Sequence, residues 1–167
     1  MKIICELTDK EVLGLEGRSH AVPRRTARAI LKNDADLYAV MYARKFDLYS
    51  LPGGGIEGQE DIRTALRREI LEETGCACDE IQELGIVLEN RAHCDYTQES
   101  YYFVVTTHHV PQSPALTDAE AENGTCLFWM PLEETVERIV TPVHTTNQRK
   151  FLQARDKAAL NAFLKTR

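Results

Sequence analysis

The sequence predicts a single α/β domain, and three observations predict it. Strand-like apolar runs at residues 26–32, 37–43, 81–89, 101–108 and 125–130 are interspersed with two segments of helical composition, 60–74 and 147–165. With 167 residues, 43% of them hydrophobic and 28% charged, the chain has the length and balance to bury one core. Neither an internal repeat nor a linker-like stretch interrupts it, so residues 1–167 read as one unit with 1–21 as an N-terminal extension.

Taken in order, residues 1–21 are weakly patterned and read as an edge strand and a loop carrying Gly14 and Gly17. From Thr26 the alternation sharpens, Asn33 and Asp34 supply a turn, and the run 37–43 follows, which predicts a β-hairpin. Residues 48–51 form a short extended piece ended by Pro52, Gly53, Gly54 and Gly55. A helix is expected from about Glu60 to Thr74, with Gly75 where a C-cap belongs. The strands at 81–89 and 101–108 flank a polar stretch, 90–100, that reads as a loop. A second loop, 111–124, is rich in Pro, Asp and Glu. Residues 125–130 read as a buried strand, and Pro131 opens a short helix. Phe151, Leu152, Ala159 and Phe163 share one side of an amphipathic closing helix.

Composition excludes several function classes. A formal net charge of −6 argues against a sequence-independent grip on nucleic acid, which needs clustered Lys and Arg. It is compatible with a small phosphorylated ligand reached through a divalent cation. No apolar run approaches the ~20 residues of a membrane span. Ile3, Ile4 and Cys5 are followed at once by Glu6, too brief a stretch for a signal peptide, so the expected address is cytoplasmic. The cysteines at 5, 76, 78, 94 and 126 form no C-x-x-C pair, which argues against zinc and for reduced, mostly buried thiols.

The chemistry concentrates in residues 54–76. On a wheel of about 100° per residue, Ile62, Ala65 and Leu66 define an apolar face. Glu69 and Glu73 share nearly the bearing of Ile62, Glu72 flanks them, and Arg63, Arg67 and Arg68 point elsewhere. Most acidic triplets on helices are solvated surface. Here two carboxylates lie on the side the helix should bury, where unpaired charge is costly, and like charges one turn apart repel. A bound cation removes both difficulties. Carboxylates without neighbouring His or Cys suit Mg²⁺ first and Mn²⁺ second. Mg²⁺ completes its shell with phosphate oxygens, which implies a phosphorylated ligand. The three glycines permit positive φ and close backbone approach, although alone they would indicate only a turn.

The spacing of Gly54, five residues, Glu60, seven residues, Arg68-Glu69-Ile70, one residue, Glu72-Glu73, one residue and Gly75 resembles the Nudix box. Leu51-Pro52-Gly53 ahead of it is also typical of that family. Cys76 departs from the pattern, which prefers a larger aliphatic residue at what is a packing position. The resemblance extends from residue 26 to the C-terminus. It implies a Nudix fold, a mixed β-sheet sandwiched between helices (α/β/α), and hydrolysis of a nucleoside diphosphate linked to another moiety. Nucleotide sugars, dinucleoside polyphosphates and nucleoside triphosphates are such substrates. By match to the motif, Glu69, Glu72 and Glu73 would ligate Mg²⁺, with Mn²⁺ as a substitute. Arg68 would hold a ligating carboxylate in place, and Glu60 would support or extend the metal shell.

Gly53, Gly54, Gly55 and Arg25, from the pair Arg24-Arg25, are the candidate substrate contacts. The acid that takes the proton of the attacking water lies on the box in some family members and on a later loop in others. Glu99, Glu120 and Glu122 are the candidates here, each an ordinary surface residue if taken alone. Markers of substrate choice are weak: no Pro occurs between residues 77 and 110, and Tyr96 only loosely matches the tyrosine of dinucleoside-polyphosphate relatives. Tyr42, Tyr49, Tyr102 and Phe103 could stack a base, but strand aromatics ordinarily belong to the core. The expected partner is a small nucleotide-type substrate, with no stable nucleic-acid or membrane binding and a homodimer left open. The competing reading is a nucleotide-sensing Nudix domain without turnover; such domains commonly lose box glutamates, and this chain keeps all of them. An isopentenyl-diphosphate isomerase would need a catalytic Cys and a His-containing metal shell that nothing here assembles.

Overall fold

Alternation along the strands sends the two faces of the sheet to different helices. The computed structural model describes residues 1–108 and 113–167, so residues 111 and 112 of the expected second loop lie outside the described residues. The chain runs through β1 (Ile3–Thr8), α1 (Asp9–Leu13), β2 (Arg24–Asn33), β3 (Tyr38–Ala43), β4 (Leu48–Ser50), β5 (Gly53–Gly55), α2 (Ile62–Thr74), β6 (Glu80–Arg91) and β7 (Tyr96–Thr107). It continues through α3 (Asp118–Glu122), β8 (Thr125–Met130), α4 (Leu132–Val140) and α5 (Asn147–Leu164).

The sheet is mixed, ordered β1-β6-β7-β2-β3-β4, with β5 on β2 and β8 on β3. Its centre is the parallel pair of β2 and β7, in register from Arg24 opposite Gln98 to Asn33 opposite Thr107. Ala27, Ala29 and Leu31 of β2 face Ala65, Leu66 and Ile70 of α2, with Phe103 and Val105 of β7 beside them. Ile30 and Tyr102 face the other way, into a core with Ile139 of α4 and Leu160 and Phe163 of α5. Helices therefore cover both faces, the α/β/α layering expected. Among the described residues no helix is long and apolar enough to cross a membrane.

One local expectation holds in shortened form and two are corrected. The hairpin of β2 and β3 pairs only at Lys32 opposite Tyr38; β2 then takes β7 and β5 as neighbours, while β3 takes β4 and β8. The stretch 90–100 is not a loop. The antiparallel ladder of β6 and β7 continues to Arg91 opposite Tyr96 and closes through a 3₁₀ turn at Ala92–Cys94, with Asp95 left-handed at φ 47°. Hydropathy hid this ladder because its buried side chains, Glu89, Arg91, Gln98 and Ser100, are polar and satisfy one another. The second loop contains α3, capped by Thr117 and Glu120.

Helix α2 begins at Asp61, whose side chain accepts the N–H groups of Arg63 and Thr64. It ends at Gly75, left-handed at φ 70° with its N–H donated to the Leu71 carbonyl. On the opposite layer, α5 carries a fully buried carboxylate. Asp156 accepts from the Leu51 backbone N–H at 2.9 Å, from Arg155 Nε at 3.0 Å and from the Tyr102 hydroxyl. It ties α5 to the chain just ahead of the glycine run.

Asp156→Ala strands the buried Arg155 guanidinium and is expected to cost about 3–5 kcal/mol. Urea unfolding measures this, and a loss below about 1 kcal/mol would refute the anchoring role of the carboxylate.

Candidate active site

The site forms where β5 meets α2. Strand β5 pairs antiparallel with β2, placing Gly53, Gly54 and Gly55 opposite Arg28, Ala27 and Thr26. Gly53 sits at φ 128°, and a Cβ there would overlap the Ala27 carbonyl and the Arg28 backbone. At Gly54 the demand comes from the helix: a Cβ would overlap the carboxylate of Glu69. One turn further along α2, Glu73 accepts the Gly53 backbone N–H at 2.5 Å. Helix and glycine strand are thus clasped by two glutamates and two missing side chains.

Burial sets the electrostatics. Glu73 is 8% exposed, and burial pushes its pKa up to about 8, opposed by Arg28 and by the Gly53 N–H. Glu120 and Glu69 push it further in the same upward direction. Burial also raises Glu69, with Arg68 opposing. Arg68 gathers the remaining carboxylates: it reaches Glu60 at 2.7 Å, Glu69 at 2.8 Å and Glu72 at 3.2 Å, and donates to the Gly55 carbonyl at 2.8 Å. The helical wheel points Arg68 away from the acids; its length lets the guanidinium curl back over them. Its pKa is driven above the usual arginine value, chiefly by the hydrogen bond to Glu60, while that bond holds Glu60 below the ordinary carboxylate range.

Among the described residues no three His, Cys, Asp or Glu side chains converge closely enough to hold a metal ion as they stand. The donor set nonetheless fits a hard cation: the groups are carboxylates, two of them sit where burial penalises their charge, and the missing Cβ of Gly54 lets the Glu69 carboxylate lie against the strand.

The other predicted residues separate by strand parity. Arg24, Thr26 and Arg28 share one face of β2 and line a cleft of about 530 Å³, together with Arg91, Gln98 and Arg155. Arg25 points to the opposite face, over the Tyr101 ring and 4.0 Å from Glu99, so it is Arg24 that enters the cleft. Successive side chains on a strand point to opposite faces, and the sequence pair had left that choice open. Glu99 lies with Arg25, bonded by the Tyr101 hydroxyl. Glu122 is exposed. Glu120 is the non-box acid close enough to act on Glu73, and its segment is docked on α2 by the bond from Ala115 N–H to the Glu72 carbonyl. Tyr102 and Phe103 are core residues, and Tyr42 stacks on Tyr49 away from the cleft. Tyr96 does line the cleft.

Arg28, Arg91 and Arg155 escaped the sequence reading. Arg28 joins the cleft to the glutamates: its Nη1 donates to the Leu51 carbonyl at 3.0 Å, and its charge opposes the upward shifts of Glu69 and Glu73. Part of its signal was available, since Arg28 lies on the strand-like run 26–32, but that run began two residues after Arg24, whose equal parity shows only in the observed β2. Arg91 and Arg155 pair with near neighbours in sequence, Glu89 and Asp156, and only the fold brings Arg155 of α5 within 3.9 Å of Glu89 on β6.

A family model described as NUDIX domain matches residues 22–154. The chain is 28% identical over 116 residues to Nudix hydrolase 7 of Arabidopsis thaliana, a match covering 67% of this chain and 40% of that protein. It is 44% identical over 44 residues to an RNA pyrophosphohydrolase of Dinoroseobacter shibae, covering 26% of this chain and 28% of that one. The chain thus spans well under half the length of these relatives. Among solved structures, a NUDIX hydrolase from Nitrosomonas europaea aligns with TM-score 0.64 over 87% of this chain and 90% of its own. A MutT NUDIX hydrolase from Burkholderia pseudomallei aligns with TM-score 0.55 over 81% and 98%. Both are 20% identical and share the fold.

The raised pKa of Glu73 makes stability fall with pH. The folded chain keeps that proton up to a pH of about 8, whereas the unfolded chain releases it near 4.5, so metal-free protein loses stability as pH rises through this window. Melting curves in EDTA at about pH 5 and about pH 8 are expected to show the loss, Glu73→Gln to flatten it, and Mg²⁺ to offset it at the upper end. An unchanged pH slope in Glu73→Gln would disprove the assignment.

Proposed function

The chain belongs to the NUDIX domain family, and on that premise we propose that it hydrolyses the diphosphate linkage of a nucleoside diphosphate derivative with a divalent metal as cofactor. The observation that carries the proposal is the clasp between α2 and β5. It supports an acidic cluster, Glu69, Glu72 and Glu73, beside backbone that only glycine can occupy, and Arg28, whose charge acts on Glu69 and Glu73, joins it to an arginine-lined cleft.

Glu69, Glu72 and Glu73, supported by Glu60, would hold Mg²⁺ or Mn²⁺. Bound there, the ion would neutralise diphosphate charge and acidify a water molecule. Arg68 keeps Glu60, Glu69 and Glu72 in one constellation. Gly53 and Gly54 let β5 pack directly on β2 and Glu69, and Arg24 and Arg28 would meet phosphate charge from the cleft side. Glu120, whose charge acts on Glu73, would take the proton as the water oxygen attacks phosphorus; the P–O bond of the anhydride breaks and its electrons leave with the departing phosphate. The retained box glutamates favour this reading over a sensing domain that binds without turnover.

Full-length protein with Mg²⁺ is to be incubated with nucleotide sugars, ADP-ribose, dinucleoside polyphosphates and nucleoside triphosphates, and product release followed chromatographically. At least one diphosphate is expected to be cleaved, EDTA to abolish cleavage, and Glu72→Gln to lower kcat by two or more orders of magnitude, roughly what loss of a metal ligand costs. Glu120→Gln should lower kcat by about 10²–10⁴-fold if Glu120 is the base. No turnover of any member of the panel would sink the hydrolase reading.

A further inference from the structure

The family match begins at residue 22, yet the segment ahead of it is fastened to the turn between β6 and β7. The Ser19 N–H donates to Asn90 Oδ1 at 2.8 Å, Asn90 Nδ2 returns a bond to the Ser19 carbonyl at 2.9 Å, and Ser19 Oγ reaches Asp95 at 2.7 Å. Beside these lies Asp9, 1% exposed at the start of α1. Both its oxygens go to one residue: Oδ2 accepts the His93 backbone N–H at 2.7 Å, and Oδ1 meets His93 Nδ1 at 2.8 Å. A carboxylate oxygen accepts, so Nδ1 carries a proton and Nε2 is left for other partners.

The other constraints on His93 come from α5. Its ring stacks on Phe151 at 6.1 Å with an interplanar angle of 25°, and Phe151 is fully buried. The imidazole is therefore held by its edge and one face, while 24% of the side chain stays exposed on the wall of the cleft. Arg91 next to it is held as tightly, its guanidinium 4.9 Å from the Tyr96 ring and 4.8 Å from that of Phe151. A buried carboxylate is costly as mere glue between α1 and a turn, where apolar packing would serve. Such an arrangement is what fixes a ligand-facing histidine from behind.

We infer that residues 1–21 are part of the substrate site: Asp9 is a positioning residue that holds His93 with Nε2 toward the cleft, where it accepts a hydrogen bond from a hydroxyl group on the moiety beyond the diphosphate. The class of group follows from the lining. Arg24 makes no ion pair among the described residues, and Arg28 Nε is a buried N–H without a partner among them. One side-chain acceptor there is already engaged, since the Tyr96 hydroxyl donates to Gln98 Oε1 at 2.6 Å. A hydroxyl donates its proton to Nε2 while its oxygen accepts from the arginine N–H groups, so this wall selects hydroxyl groups.

The inference rests on the hydrolase reading, and the test separates the two. Steady-state kinetics with Mg²⁺ are measured on the best substrate of the panel for full-length wild type, Asp9→Asn, His93→Ala and His93→Gln. Asp9→Asn keeps shape and packing but sets an amide N–H against Nδ1–H. It and His93→Ala are expected to raise KM about five- to tenfold, the worth of one hydrogen bond, with kcat changed less than about twofold. His93→Gln, whose Oε1 can still accept, recovers part of the loss. A purely structural role for Asp9 leaves KM unmoved in Asp9→Asn, and that result, or wild-type KM in His93→Ala, overturns the inference while the hydrolase reading stands. A wild type that turns over nothing overturns both.

Discussion

Two backbone N–H groups, two residues apart, are gripped by carboxylates from opposite layers of the molecule. Asp156 of α5 accepts from Leu51, and Glu73 of α2 accepts from Gly53. Everything at the site depends on this double grip. It presses β5 between helix and sheet, which is why Gly53 and Gly54 have no space for a Cβ. It also sets the rotation of α2, and through it the places of Glu69 and Glu72.

The grip is expensive. Each carboxylate gives up hydration, and the opposing charges are few: Arg28 for Glu73, Arg155 for Asp156, and Arg68 shared among three glutamates. Apolar residues would serve stability better at such buried positions. A chain that retains acids there keeps a concentration of negative charge that a cation can relieve, and the upward shift of Glu73 measures how poorly the protein alone accommodates it. The two apolar cores, one on each face of the sheet, carry the opposing stabilisation.

The cleft follows from a change of character along one sheet face. Reading every second residue, β2 carries Arg24, Thr26 and Arg28 and then Ile30, while β7 carries Gln98 and Ser100 and then Tyr102 and Val104. The polar ends lie side by side because the two strands run parallel and in register. Where the apolar ends meet α4 and α5 there is core; where the polar ends meet Gln148, Leu152 and Arg155 of α5 there is an opening. The turn that closes β6 and β7 forms one wall, steadied by the segment ahead of the family domain.

Features carried by residues close in sequence were legible without coordinates. The period of α2, its stop at Gly75, the bearing of Glu69 and Glu73 and the spacing of the box all arise within residues 53–76, where helical geometry converts sequence distance into direction. The α/β class was legible in the same way. The hairpin of β2 and β3 forms but is short, and the loop at 90–100 was misread, because most pairing partners come from distant segments and a polar ladder can bury itself by pairing with itself. Parity, too, is relative until a helix covers one face, so Arg24 and Arg25 could not be told apart. By itself, then, the sequence determined the acidic helix, the glycines opposite it and the family they resemble. Only the tertiary structure decided that Arg24, Arg28, Arg91 and His93 share a cleft, because hydrogen bonds spanning 71 to 105 residues, from Ser19 to Asn90 and from Leu51 to Asp156, hold those segments together.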